Sequence, residues 1–127
     1  MTLTEICVIA TIILLIITAL IHSIAGERLL LQPLLKARGN RVLEHDLARM
    51  LLRYVWHLTS LVWLLIAMLL CFMTFTPERA LSLSLLSTAA VFIPVGLFDL
   101  IASRGRHVGW PFLMLIGVVP LIGWSAL

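Results

Sequence analysis

The chain has 127 residues, which is enough for one domain. Hydrophobic residues make up 62% of it and charged residues 12%, with a mean hydropathy of +1.16. An ordinary soluble domain is about half apolar and about a quarter charged, so this composition argues against one and predicts a protein of the lipid bilayer. The net charge of +3 needs no nucleic-acid partner, because basic residues that flank membrane spans also produce it.

Four apolar stretches are long enough to cross a hydrocarbon layer, which takes roughly 20 residues of helix. They cover about residues 3–24, 51–75, 80–102 and 110–127, and the fourth is short and contains Pro111 and Pro120. The first stretch lacks the basic start and the small-residue cleavage site of a signal peptide. The sequence therefore predicts an all-α bundle of four transmembrane helices, a single domain over residues 1–127.

The basic residues are distributed unevenly between the connections. The second connection contains only Arg79, and the other eight lie in or beside the first and third: Arg28, Lys36, Arg38, Arg41, Arg49, Arg53, Arg104 and Arg106. By the positive-inside rule that end is cytoplasmic, so the N and C termini lie outside. Within the long first connection, ERLLLQPLLKAR mixes leucines with charges, which predicts an interfacial helix bent at Pro33.

Ionisable side chains from every predicted span gather at this arginine-rich end. They are His22, Glu27, His57, Asp99 and His107. Ionisable groups inside a membrane are functional candidates by default, because a partner must offset the cost of burying them. The alternative is structural: the histidines are hydrogen-bonded packing residues, and Asp99 pairs with Arg53, Arg104 or Arg106.

Helical phase supports a shared site, because residues three or four apart lie on one face. Three stripes of small and polar residues are predicted to face inward: Cys7, Thr11, Thr18 and His22; Arg53, His57, Ser60, Leu64, Ala67 and Cys71; Ser84, Thr88, Val95 and Asp99. An antiparallel pairing of the first two helices would match His22 to His57 and Cys7 to Cys71. The cysteines lie at similar depth, so a disulfide between them stays open.

Three histidines and two carboxylates in a four-helix bundle are a plausible transition-metal site. Imidazole suits zinc, iron or copper, with His22, His57, His107, Glu27 and Asp99 as ligands. Haem b is the other candidate, with His22 and His57 as axial ligands and Arg28 and Arg53 near the propionates. No diagnostic metal or catalytic spacing is present in the sequence.

Three phrases, IHSIAGERLLLQPLL, RYVWHLTSLVWLL and SRGRHVGWPFLML, resemble a group of small bacterial four-helix membrane proteins with similar phrases. The resemblance covers most of the chain, from His22 to Leu115. It implies a multi-pass protein of the bacterial inner membrane and no particular activity.

Three hypotheses follow for the function. The first is a redox or metal-handling module that holds a transition metal or haem at the cytoplasmic leaflet. The second is an accessory subunit of a larger membrane complex. The third is a small proton-coupled transporter or membrane enzyme that uses Asp99 and the histidines, as a monomer or as a homo-oligomer.

Overall fold

The computed structural model describes residues 1–37 and 39–127, so Arg38, one of the basic residues used to predict topology, lies outside the described residues. Four helices, α1 to α4, cover Leu3–Lys36, Asp46–Phe75, Ala80–Ser103 and Trp110–Ser125. A short 3-10 turn, Pro77–Arg79, leads into α3. The all-α prediction is confirmed, and α1, α2 and α3 are long and apolar enough to cross a membrane.

The first helix begins with a capping box. The Thr2 hydroxyl accepts a hydrogen bond from the Glu5 N–H, and the Glu5 carboxylate accepts one from the Thr2 N–H. This arrangement satisfies two N–H groups that the first turn would otherwise leave without partners. Glu5, the only charge near the N terminus of α1, therefore has a structural role at the start of the helix.

The prediction of a separate interfacial helix is wrong, because the segment from Glu27 to Lys36 continues α1 without a break. Two π-type turns, Ile21–Ala25 and Glu27–Leu31, connect the regular part of α1 to its last turn, Gln32–Lys36. In the second π turn the Gln32 N–H bonds to the Glu27 carbonyl, five residues back. This wider turn precedes Pro33, and it accommodates a residue that lacks an N–H and would crowd a regular preceding turn.

Each helix packs on the one that precedes it in the chain. The contact between α3 and α4 is very close at two glycines. A Cβ atom built on Gly96 would lie 2.8 Å from the backbone nitrogen of Met114, and one on Gly117 would lie 2.8 Å from that of Ile93. Small residues allow helix backbones to approach in this way, so these glycines determine how α3 and α4 fit together.

A hydrogen bond between α2 and α3 and the turn between α3 and α4 position the polar residues described below. The Tyr54 hydroxyl on α2 donates to the Val95 carbonyl on α3 at 3.0 Å. The helix α3 ends in a left-handed turn with φ of +53° at Arg104 and +72° at Gly105, and the Gly105 N–H bonds to the Leu100 carbonyl. Glycine adopts this conformation without a Cβ penalty, which suits Gly105 to the end of the helix.

The inward stripes predicted for α2 and α3 are buried at Ser60, Ala67, Val95 and Asp99, but Arg53 and Leu64 of the α2 stripe are exposed. The stripe on α1 is wrong for its regular part, since Cys7, Thr11 and Thr18 are exposed there and Ala19 is buried. The Thr11 hydroxyl donates to the Cys7 carbonyl one turn earlier, so a threonine can lie on an outer face with its polar group satisfied. Both cysteines are free.

Candidate functional site

The five ionisable residues predicted to converge form two groups. His22, Glu27 and His57 lie together between α1 and α2, whereas Asp99 and His107 form a pair between α3 and the start of α4. Within the described ranges no hydrogen bond or ion pair connects the two groups. We call the first group the α1–α2 site and the second the Asp99–His107 pair.

His57 is the centre of the α1–α2 site, because both of its ring nitrogens have partners on α1. Nδ1 lies 2.6 Å from Ser23 Oγ, and Nε2 lies 3.3 Å from Glu27 Oε2. A carboxylate only accepts, so in the neutral imidazole Nε2 carries the proton and Nδ1 accepts from the Ser23 hydroxyl. Ser23 and Glu27 are four residues apart on one face of α1 and thus fix the orientation of the ring.

His22 is held by aromatic side chains of α2. Its ring stacks on that of Trp56 with centroids 4.3 Å apart, and the ring of Trp63 meets it edge-on at 5.0 Å. Its Nδ1 lies 3.1 Å from Ser60 Oγ, and the Trp56 indole N–H donates to the His22 backbone carbonyl at 2.9 Å. Gly26 makes room for this indole, since a Cβ there would lie 2.6 Å from the Trp56 ring.

Arg53 completes the α1–α2 site through Glu27. The two side chains form a double contact, with Arg53 Nε 3.2 Å from Glu27 Oε2 and the terminal nitrogen on Oε1. A guanidinium and a carboxylate match geometrically in this arrangement. Arg28, the other arginine predicted to lie near haem propionates, is exposed on α1. Glu27 therefore pairs across the helices with Arg53.

The Asp99–His107 pair is more deeply buried. Asp99 has no exposed surface, and its Oδ2 accepts a hydrogen bond from His107 Nδ1 at 2.5 Å. Its second oxygen, Oδ1, and the buried Ser103 hydroxyl one turn further have no hydrogen-bond partner among the described residues. Asp99 thus pairs with His107, not with the arginines that the structural alternative named.

Gly109 explains how the loop histidine reaches Asp99. A Cβ at this glycine would lie 2.5 Å from the His107 ring, so only glycine leaves space for the imidazole to fold back towards α3. The turn is fixed further by Arg106, whose Nε donates to the Ser103 carbonyl at 3.1 Å. The position of His107 is thus determined by its own loop.

The transition-metal or haem hypothesis stays a prediction. Within residues 1–37 and 39–127 no three His, Cys, Asp or Glu side chains are arranged to hold a metal ion. Both nitrogens of His57 already have partners on α1, and the His22 ring is stacked against Trp56. In order to ligate iron, His57 would have to give up one of these contacts. His22 would have to use Nε2, because its Nδ1 contacts Ser60.

A pocket of about 930 Å³ opens beside the α1–α2 site, between the last turns of α1, the first half of α2 and the middle of α3. Its lining includes His57 and Arg53 together with Tyr54, Met50 and apolar residues of α3. Ligand sites of small molecules are concave, mostly apolar and equipped with a few polar groups, and this pocket has those properties. His57 therefore lines the pocket with a partly exposed ring whose two nitrogens are bonded to α1.

Sequence reasoning missed Ser23, Gly26 and the stacking role of Trp56. One signal for Ser23 was present, because it precedes Glu27 by four residues and therefore shares its helix face. The stacked arrangement of His22 and Trp56 has no such signal, since it depends on the register between two helices. Comparison with models of protein families, with characterised proteins and with solved structures gave no match.

Proposed function

We propose that this chain is an integral protein of the bacterial inner membrane with four spans, its arginine-rich end in the cytoplasm and both termini outside. The apolar windows of α1, α2 and α3 have mean hydropathies of 2.7, 2.3 and 2.0. The 16 residues of α4 span about 24 Å, and local thinning of the bilayer accommodates a helix of this length. The uneven distribution of arginines supports the orientation.

Cysteine labelling in intact cells tests this topology. In a background with Cys7 and Cys71 replaced by serine, a membrane-impermeant maleimide should label Ala126→Cys. It should label Asn40→Cys only after the cells are opened, because that position lies in the arginine-rich connection. Labelling of Asn40→Cys in intact cells would show that the orientation is opposite to the one proposed.

We further propose that the protein is a ligand-binding module in which His57 contacts the ligand directly. The observation that carries this proposal is that His57 lies at the edge of the pocket while Ser23 and Glu27 fix its ring. If a bound molecule takes the place of Ser23 or Glu27 at one ring nitrogen, the imidazole can donate a proton to that molecule or accept one from it, so the same site suits a small membrane enzyme.

Native mass spectrometry of protein purified in a mild detergent tests the module. A small molecule should remain bound to the wild type and be lost from His57→Gln, whereas His45→Gln, an exposed histidine in the first connection, should retain it. Elemental analysis and an absorption spectrum belong to the same experiment. A stoichiometric metal or a haem band that disappears in His22→Gln and His57→Gln would replace this proposal by the transition-metal or haem hypothesis.

One observation favours proton-coupled transport as a second candidate. Asp99 is completely buried and one of its oxygens has no partner among the described residues, which is costly unless a proton or another bound species satisfies it. A pH-driven flux in liposomes that is lost in Asp99→Asn would support this candidate. A flux that persists in the variant would contradict it.

A further inference from the structure

The pocket beside His57 is polar at one end and apolar at the other. Along α2 its lining passes from Arg49 and Arg53 through His57 to Leu58 and Leu61. Leu61 lies 12 residues beyond Arg49, which corresponds to roughly 18 Å of helix. The polarity of the pocket therefore changes along its length, as does that of a lipid from head group to acyl chain.

The polar end is positively charged. Its cations are Lys36 from the last turn of α1 and Arg49 and Arg53 from α2, and no acidic residue lines the pocket. Glu27 neutralises Arg53 from the side facing α1. Arg49 makes a hydrogen bond with the Leu35 carbonyl, and within the described residues neither it nor Lys36 forms an ion pair. Two uncompensated positive charges thus face the polar end.

The apolar end is formed by Leu58 and Leu61 of α2 and by Pro94, Val95 and Phe98 of α3. The Tyr54 hydroxyl is already bonded to the Val95 carbonyl, and its ring stacks on Phe98 with centroids 5.7 Å apart. This wall therefore presents apolar surface to an occupant. A water-soluble ligand would gain little there, whereas an acyl chain would be in contact with apolar side chains throughout.

We propose that this pocket binds an anionic phospholipid, with its phosphate at Lys36 and Arg49 and one acyl chain between α2 and α3. The inference rests on the proposed ligand-binding function and names its ligand class. Guanidinium and ammonium groups are suited to phosphate, and an apolar cleft between helices at the charged end admits a lipid sideways from the bilayer. His57 lines the same pocket between the phosphate end at Arg49 and the apolar end at Leu61.

Lipid retention measured by native mass spectrometry tests the head-group contact. The protein is exchanged into mixed micelles that contain equal amounts of phosphatidylglycerol and phosphatidylcholine with identical acyl chains. The wild type should retain phosphatidylglycerol preferentially, and Lys36→Gln/Arg49→Gln should reduce that preference about thirtyfold, since each basic side chain near a lipid surface contributes about fivefold. Arg41→Gln is the control, because Arg41 lies exposed in the same connection outside the pocket.

A second pair of variants tests the apolar end without changing charge. Leu61→Trp should fill the space of the acyl chain and reduce retention of both lipids, whereas Leu64→Trp should not. Both leucines are about two-fifths exposed on α2, at 40% and 37%, but only Leu61 lines the pocket. Equal retention of the two lipids by the wild type, or equal effects of the two tryptophans, would overturn the phospholipid site.

The outcomes separate the two proposals. If a bound molecule depends on His57 but is not a phospholipid, the ligand class proposed here is wrong and the binding module stands. If phosphatidylglycerol is retained through Lys36 and Arg49 and His57→Gln has no effect, the phospholipid site stands and the role of His57 is wrong. If no molecule is retained, both proposals fail.

Discussion

The α1–α2 site and the Asp99–His107 pair use the same two residue types in opposite ways. In the first, His57 is partly exposed, with 38% of its side chain accessible, and it shares Glu27 with an arginine. In the second, the carboxylate is completely buried and the histidine is its one partner among the described residues. A site that holds a ligand needs side chains that the ligand can reach, whereas a buried pair of two residues mainly stabilises the fold.

The largest expected effect is that of His107→Ala. This substitution leaves Asp99 buried without its partner, and removal of one member of a buried pair costs about 3–5 kcal/mol. Unfolding in mixed micelles should show a loss of stability of this size. The double variant His107→Ala/Asp99→Leu should recover much of it, because no buried acid remains; a double variant as unstable as His107→Ala would show that the pair does not explain the loss.

The next effect is expected at Gly26. A Cβ in Gly26→Ala would meet the Trp56 ring at 2.6 Å, so the indole has to move away from His22. Overpacking of this kind typically costs about 1–3 kcal/mol. Gly123→Ala on α4 is the matched control, since its nearest neighbour atom lies at 3.9 Å. Unfolding midpoints of the two variants in the same micelles give the comparison, and equal midpoints would contradict the tight contact.

A smaller effect is expected for His57→Ala. Glu27 keeps Arg53 as its partner and Ser23 is not fully buried, so the loss is that of ordinary hydrogen bonds, about 1–2 kcal/mol. The same unfolding assay should therefore rank His57→Ala well below His107→Ala. The reverse order would mean that the α1–α2 site, and not the Asp99–His107 pair, is the main polar contribution to stability.

The smallest effect is expected for Glu27→Gln and should depend on salt. Arg53 has half of its side chain exposed, so its attraction to Glu27 is screened by ions in solution. The difference in unfolding midpoint between Glu27→Gln and wild type should be measurable at low ionic strength and shrink as salt is added. A difference that does not change with salt would indicate that the pair is shielded from solvent.

The sequence predicted the number and type of helices, because hydropathy and length determine them. It also predicted that His22 and His57 would lie at one interface between α1 and α2, where His22 contacts Ser60 and His57 contacts Ser23. It did not predict that Asp99 and His107 would form a separate pair. Agreement in depth does not say which helices are neighbours, and here each helix packs on its predecessor, so residues at one level are divided between two interfaces.

The face of α1 was also predicted wrongly. The stripe of Cys7, Thr11, Thr18 and His22 treated polarity as a guide to the inner face, but Cys7, Thr11 and Thr18 are exposed in the regular part of the helix, where Ala19 is buried. The Thr11 hydroxyl bonds to the Cys7 carbonyl of its own helix, so it needs no partner on a neighbouring helix. Polarity alone therefore does not show which face of such a helix packs inward.

The π-type turns make α1 tolerant of the loss of a residue. A regular helix rotates by about 100° with each amino acid, and a π turn contains one more residue than a regular one. Deletion of Ile24 from the first π turn should therefore let that turn become regular while Lys36 and its neighbours keep their direction relative to α2. Deletion of Leu14, in the regular part of α1, removes a residue that no wide turn holds in excess, so it should rotate one part of the helix against the other by about 100°.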